Sequence, residues 1–288
     1  MLKGRLGLET ARVPYVDRHG LIWLSRGKLY VEDGTLRFVT SGFDGLASGD
    51  YALAFQTVSL ILLGPGGSVT HDALRLLARH GTGLLAVGEG GVRMYASMPF
   101  GPNDTALARR QVRAWYDEEG SRIDVVRKMY AWRLGEIVPH SEISVLRGIE
   151  GARMKELYQG LARKYGISWK GRRYDRKKPG GADLPNQAIN HAASAVEGAA
   201  MIAVAATGTI PQLGFIHEDA GHSFTLDIAD LFRDTVTIPC AFASVKTFER
   251  RKNVTIERHV RRSVAKSLRK DRVISKMIDR IKDCFKCQ

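Results

Sequence analysis

At 288 residues the chain has room for one large domain or two unequal ones, and a 44% hydrophobic content is that of an ordinary globular protein rather than a disordered or fibrous one. Its 44 Lys and Arg against 30 Asp and Glu leave a formal charge of +14, which favours a polyanionic partner and puts nucleic acid first. No uninterrupted apolar run reaches the roughly 18 residues of a spanning helix, and the opening MLKGRLGLETARVP lacks the apolar core of a signal peptide, so no membrane association and a cytoplasmic location are expected.

The first third reads as strands. In KLYVEDGTLRFV, residues 28–39, Leu29 and Val31 alternate with polar neighbours, Asp33-Gly34 turns, and Leu36 and Phe38 resume the alternation, which is a hairpin signature. Residues 58–63 form a short buried strand before Gly64-Pro65-Gly66-Gly67. The period then changes to a helix over 70–80, capped by Thr70, with Ala73, Leu74, Leu77 and Ala78 as its stripe and Gly81 as its stop. Two more strands are expected at 84–87 and 92–95. The Pro- and Gly-rich MPFGPND, 98–104, reads as a linker, so the division expected is a β-rich domain 1–97 and a helical domain 105–288. In the second, helices are expected over about 105–135, 141–165, 184–206 and 226–234, with a basic one towards the end.

The helix SEISVLRGIEGARMKELYQGLARKYG places Ile143, Leu146, Glu150, Met154, Leu157 and Leu161 on one face, so Glu150 interrupts an apolar stripe. A buried carboxylate needs a proton, a cationic side chain or a metal. The flanking Gly148 and Gly151 suggest close approach of another backbone or a ligand. In GFIHEDAGHSFTLDIADLFRDT, Asp227 and Asp230 share a helical face, Asp234 follows one turn on, and His217 lies just upstream. Two readings are open. A divalent cation resolves the repulsion and takes His217 as an imidazole ligand, or Asp227 serves the helix dipole while Asp230 is merely solvated. His222 is a competing ligand, ranked below His217 because it is nearer the turn implied by Gly221.

The stretch LARKYGISWKGRRYDRKKPG interleaves Tyr165, Trp169 and Tyr174 with Arg and Lys, as a surface binding phosphates and unpaired bases would. The run from Lys246 to Lys286 is also basic, and a solvated helix face explains it as well as DNA contact does. Of the three cysteines, too few for a disulfide framework, Cys284 and Cys287 have the spacing of half a zinc site that nothing completes; a frayed basic tail is the alternative.

These residues resemble a known family, the CRISPR-associated spacer integrases, subunit one of the adaptation complex in its type I-E form. The resemblance is carried by GPGGSVTHDALRLLARHGTGLLAVGEGGVRMYAS, VVRKMYAWRLGE, LRGIEGARMKELYQGLARKYGISWKGRRYD and GFIHEDAGHSFTLDIADLFRDT, over most of 58–235. It implies an α+β fold class, with an N-terminal β-sandwich-like domain followed by a mainly α-helical catalytic domain. It also implies Mg²⁺ or Mn²⁺ held by Glu150, His217 and Asp230, with Asp227 as a further catalytic residue, and DNA contacts at Arg147, Arg172, Arg173 and Tyr174. The partners implied are a second copy in a homodimer, a small ferredoxin-like adaptation subunit, double-stranded DNA fragments with free 3′ ends, and CRISPR repeat DNA. Three positions depart from the family. Arg26 stands where an aromatic stacks on the incoming duplex, Glu197 where a tyrosine reads the DNA end, and Ala220 where a basic residue is expected. The activity implied is a metal-dependent integrase that joins 3′-hydroxyl ends into the repeat array by transesterification, with endonuclease activity as a side reaction. The reading from another class is a non-catalytic nucleic-acid-binding scaffold whose acidic cluster is structural.

Overall fold

The computed structural model describes residues 20–97, 106–116, 121–136, 142–173, 182–251 and 254–286. The chain divides into two compact units, one built from the described residues up to Glu89 with Met94–Ser97, the other from Gly90–Arg93 and everything from Ala106 onward.

The first unit holds eight strands among its described residues: β1 (Leu21–Leu24), β2 (Gly27–Glu32), β3 (Thr35–Thr40), β4 (Gly49–Ala52), β5 (Leu60–Leu63), β6 (Gly67–Val69), β7 (Gly83–Val87) and β8 (Met94–Ser97). They make two sheets, ordered β1-β5-β7-β8 and β4-β3-β2-β6. The expected hairpin is β2–β3, paired Glu32 to Thr35, with Asp33 at φ 48° and Gly34 at φ 73°. Two successive positive φ values give the turn a twist that matches the strands. Helix α1 (His71–His80) is capped at Thr70, whose side chain accepts from Ala73 N, and stopped by Gly81 at φ 63°. Leu24, Ile61 and Leu84 of one sheet, Leu29, Leu36 and Phe38 of the other, and Ala73 and Leu77 of α1 share one buried core. The short strands β1, β4 and β6 carry too few alternating residues to stand out in the sequence.

The second unit is helical: α2 (Ala106–Tyr116), α3 (Ser121–Leu134), α4 (Ile143–Tyr165), α5 (Leu184–Thr207), α6 (Ser223–Asp230), α7 (Ile238–Arg250), α8 (Ile256–Lys270) and α9 (Val273–Cys284). Within the single helix expected over 105–135, the described residues form α2 and α3, and residues 117–120 lie outside the described ones. The expected 226–234 helix ends at Asp230, and a single π-helical turn, Arg233–Thr237, leads into α7. Such turns interrupt regular helices at functional sites. The centre of the unit is α5, whose Ala188, Ala192, Ala195, Ala199, Ala200 and Ala203 are buried, and α6, α7, α8 and α9 pack on it. By length and composition alone α5 could cross a membrane, which the search for uninterrupted apolar runs overlooked. Enclosure by four helices makes it a core helix. Just after α9, Phe285 is buried, its ring 5.7 Å from that of Phe215 and 5.8 Å from that of Phe224.

Candidate active site

Residues 208–222, between α5 and α6, form a loop whose carbonyls are tied down by side chains from three helices. Gln111 of α2, fully buried, donates to Ile210 O and Leu213 O and accepts from Ile210 N. Trp115 Nε1 donates to Gly214 O at 3.0 Å, Arg122 of α3 to Phe215 O at 3.3 Å, and Arg147 of α4 to Ile216 O. At Gly214 an added Cβ would lie 2.2 Å from His217 O, so only glycine lets the loop close on itself there.

Asp227 completes the loop from below. Fully buried on α6, its carboxylate accepts from the backbone N–H of Phe215 (2.6 Å), Ile216 (3.1 Å) and His217 (2.9 Å), and lies 2.7 Å from His217 Nδ1. A carboxylate only accepts, so Nδ1 carries the hydrogen and Nε2 is the ring nitrogen left to act. Nε2 faces Asp230 Oδ2 at 4.0 Å. The hydrogen bond that His217 donates to Asp227 holds the His217 pKa above its ordinary value, against the opposing effect of burial. The charge of Asp227 is thus met within the protein, by neither the helix dipole alone nor a shared cation with Asp230. Asp227 is turned away from Asp230, its charge met by three backbone donors and an imidazole, and it positions His217 rather than joining the cluster.

The opposite wall is made by α3 and α4. Glu150 is ion-paired with Arg133, their side chains only 16% and 5% exposed. Arg133 Nη1 also lies 3.8 Å, and Arg233 Nη1 3.5 Å, from Asp230 Oδ2. The guanidinium of Arg133 sits 6.0 Å from the ring centre of the buried Tyr130, whose phenol is pushed up to about 12 by burial and then by the charge of Glu150. Of the three solutions open to a carboxylate in an apolar stripe, the structure thus presents the cationic side chain. The stripe itself is less buried than expected: Leu146 is fully buried, while Ile143, Met154, Leu157 and Leu161 are half-buried. Gly148 and Gly151 face open space, with no protein atom within 4 Å of an added Cβ, so the expected close backbone approach is not there. Glu150, Asp230, Arg133 and Arg233 line a cleft of about 340 Å³, together with Arg153, Met154, Glu156 and Asp234. Asp234 has its pKa raised by burial.

Among the described residues no three His, Cys, Asp or Glu side chains converge to metal-binding distance, because Glu150 and Asp230 close on guanidinium groups. The donor chemistry nevertheless fits Mg²⁺ or Mn²⁺: two carboxylates bordering one cleft, and an imidazole whose second nitrogen is already fixed by a carboxylate.

The remaining sequence candidates divide. Arg147, placed among DNA contacts, braces the His217 loop. Arg172 is held by Asn186 (3.0 Å) and Asn190 (2.7 Å), Arg173 is exposed, and Tyr174 lies outside the described residues, as do 98–104 and Cys287. Trp169 is not available for stacking on a base, because its ring stacks on Tyr158 at 5.0 Å and meets Phe242 edge-on at 5.5 Å. His222 Nε2 is 2.7 Å from Glu197 Oε1 and so is engaged by α5. Cys284 is buried, which pushes its thiol up to about 12, the opposite of what a zinc thiolate needs. The sequence reading gave no role to Gln111, Trp115, Arg122 or Arg133. Arg133 was within sight, as one of three cations in VVRKMYAWRLGE.

Comparison with known proteins gives consistent matches. The model of the family "CRISPR associated protein Cas1" matches residues 131–271. The CRISPR-associated endonuclease Cas1 of Escherichia coli (strain K12) is 38% identical over 94% of this chain and 86% of its own length. That of Geobacter sulfurreducens is 35% identical over 93% and 85%. A solved TtCas1–DNA complex, 31% identical, superposes with a TM-score of 0.83 over 94% of this chain and 98% of that one.

Proposed function

The chain belongs to the family of CRISPR-associated Cas1 proteins, and from that premise we propose that it is a DNA integrase and endonuclease of CRISPR adaptation. It joins the 3′-hydroxyl ends of captured double-stranded fragments into the repeat array. In the step proposed, the fragment's 3′-oxygen bonds to a phosphorus at the edge of a repeat, the P–O3′ bond of the target strand breaks, and the departing 3′-oxygen takes up a proton. The number of phosphodiesters is unchanged, so no nucleotide cofactor is required. Water in place of the 3′-hydroxyl gives strand cleavage.

The observation that carries this reading is the cleft lined by Glu150 and Asp230, with His217 Nε2 4.0 Å from Asp230 and oriented by a fully buried Asp227. Glu150, His217 Nε2 and Asp230 would hold Mg²⁺ or Mn²⁺, which when bound supplies Lewis-acid stabilisation of phosphoryl and leaving-group oxygens. Asp227 fixes the tautomer and direction of His217, and Arg133 and Arg233 hold the two carboxylates beside one another despite their charge. On this reading the chain works as homodimers, one on each side of a dimer of a small ferredoxin-like subunit. The ion pair already satisfying Glu150 favours the rival, a DNA-binding scaffold with a structural acidic cluster. Mixing the chain with its small partner, a repeat-bearing plasmid and fragments ending in 3′-hydroxyl or 3′-deoxy nucleotides separates the two. Joined strands from the 3′-hydroxyl fragment alone support the integrase, and none from either supports the scaffold.

A further inference from the structure

Two basic segments far apart in sequence meet at one place on the helical unit. The end of α4 supplies Tyr165, and the end of α7 supplies Lys246, Thr247, Arg250 and the adjoining Arg251; with Ala243 they line a concavity of about 390 Å³. Helix C-termini attract cations through their dipoles, and Arg163 and Lys164 in the last turn of α4 already serve that end. Arg250, in the last turn of α7, serves that helix in the same way, but the dipoles do not by themselves bring Lys246, Arg250 and Arg251 onto one hollow. Lys246 has Glu249 at 3.6 Å, while Arg250 and Arg251 are exposed and have no ion-pair partner among the described residues. Among the described residues no carboxylate lines the hollow. Unsatisfied guanidinium groups beside a half-buried phenol are chemistry for a phosphodiester: forked donors for its oxygens, and an aromatic for its sugar.

The position is informative as well. Tyr165 is 15 residues beyond Glu150 on α4, which puts the hollow about 22 Å along the helix from the cleft. At 100° per residue the two side chains are about 60° apart around the axis, hence on the same side of α4. We propose that this hollow is a second anchor for the DNA backbone, gripping a phosphate of the fragment whose 3′ end lies at the cleft. With about 3.4 Å per nucleotide along one strand, the gripped phosphate is six or seven nucleotides from that end. The proposal rests on the integrase reading for its choice of DNA end, but its test does not require catalysis.

The test is binding of a fluorescent duplex to the full chain across a salt series, comparing wild type with Arg250→Glu/Arg251→Glu and with the charge-keeping Arg250→Lys/Arg251→Lys. Both positions are exposed, and thermal unfolding checks that each variant folds. Loss of the gripped phosphate lowers the slope of log affinity against log salt by about one and weakens binding on the order of tenfold at 0.1 M salt, with the Lys variant near wild type. Neutral methylphosphonate linkages, introduced one at a time, locate the contact. Those six or seven nucleotides from the 3′ end weaken wild type and leave the Glu variant unchanged. An equal salt slope in wild type and the Glu variant overturns the anchor while leaving the integrase reading intact. Sensitivity at all linkages alike, or a loss seen with RNA and not with DNA, also overturns it. Wild type that binds no DNA sinks both readings.

Discussion

The two walls of the cleft satisfy their carboxylates by opposite means. On the α6 side Asp227 has no exposed surface and is bound to three backbone N–H groups and an imidazole, all within 3.1 Å. On the α4 side Glu150 answers to one side chain, Arg133, and Asp230, at the end of α6 facing the cleft, meets only the outer reach of two guanidinium groups at 3.5 and 3.8 Å. Backbone donors cannot be exchanged without unfolding the loop, whereas a guanidinium on a flexible stem can swing away. One wall is therefore built in advance to aim His217, and the other is able to trade its internal cation for an external one.

The largest effect that would break this contrast is expected at Asp227. Asp227→Ala leaves three buried N–H groups and His217 without their acceptor, and should cost about 3–5 kcal/mol in thermal unfolding. A loss under about 1 kcal/mol would mean that the loop does not depend on this carboxylate.

Next comes the pair on the other wall. Glu150→Leu strands Arg133 in a nearly buried place and should cost up to about 3–5 kcal/mol, whereas Glu150→Leu with Arg133→Met removes both charges and should recover most of the loss. Equal instability of single and double variants would show that the two side chains are not coupled.

The smallest effect is in pH. His217 has a raised pKa, so the charge-assisted part of its bond to Asp227 contributes fully below the ordinary value of 6.5 and is lost as the pH rises through the raised value. Because the ring is partly exposed the change is small. His217→Gln should flatten the stability profile just above pH 6.5, and an identical profile in the variant would remove the linkage.

How far the sequence could be read follows the same divide. The β2–β3 hairpin, α1 and the core helix α5 were legible because turn chemistry, caps and periodicity are local signals. Glu150, His217, Asp227 and Asp230 stood out because carboxylates in an apolar context are costly and need explaining. Their partners were not legible. That Asp227 faces backbone and Glu150 faces Arg133 depends on contacts 10 to 17 residues away across different elements, and no local pattern encodes these. Trp169 misled for the same reason, since a ring in a basic stretch looks free until Tyr158 and Phe242 are seen against it. The meeting of Tyr165 with Arg250 and Arg251 is likewise a product of the packing of α4 on α7.

The central claim is that chemistry resides at the cleft while most DNA affinity resides on the basic surface outside it. The most direct test is to measure fragment binding and strand joining in parallel, in Mn²⁺, for wild type, His217→Ala and Asp230→Ala. The account predicts that both variants bind the fragment within about threefold of wild type, because phosphate affinity comes from Lys and Arg elsewhere, and that neither joins strands. Joining at the wild-type rate by either variant would contradict it.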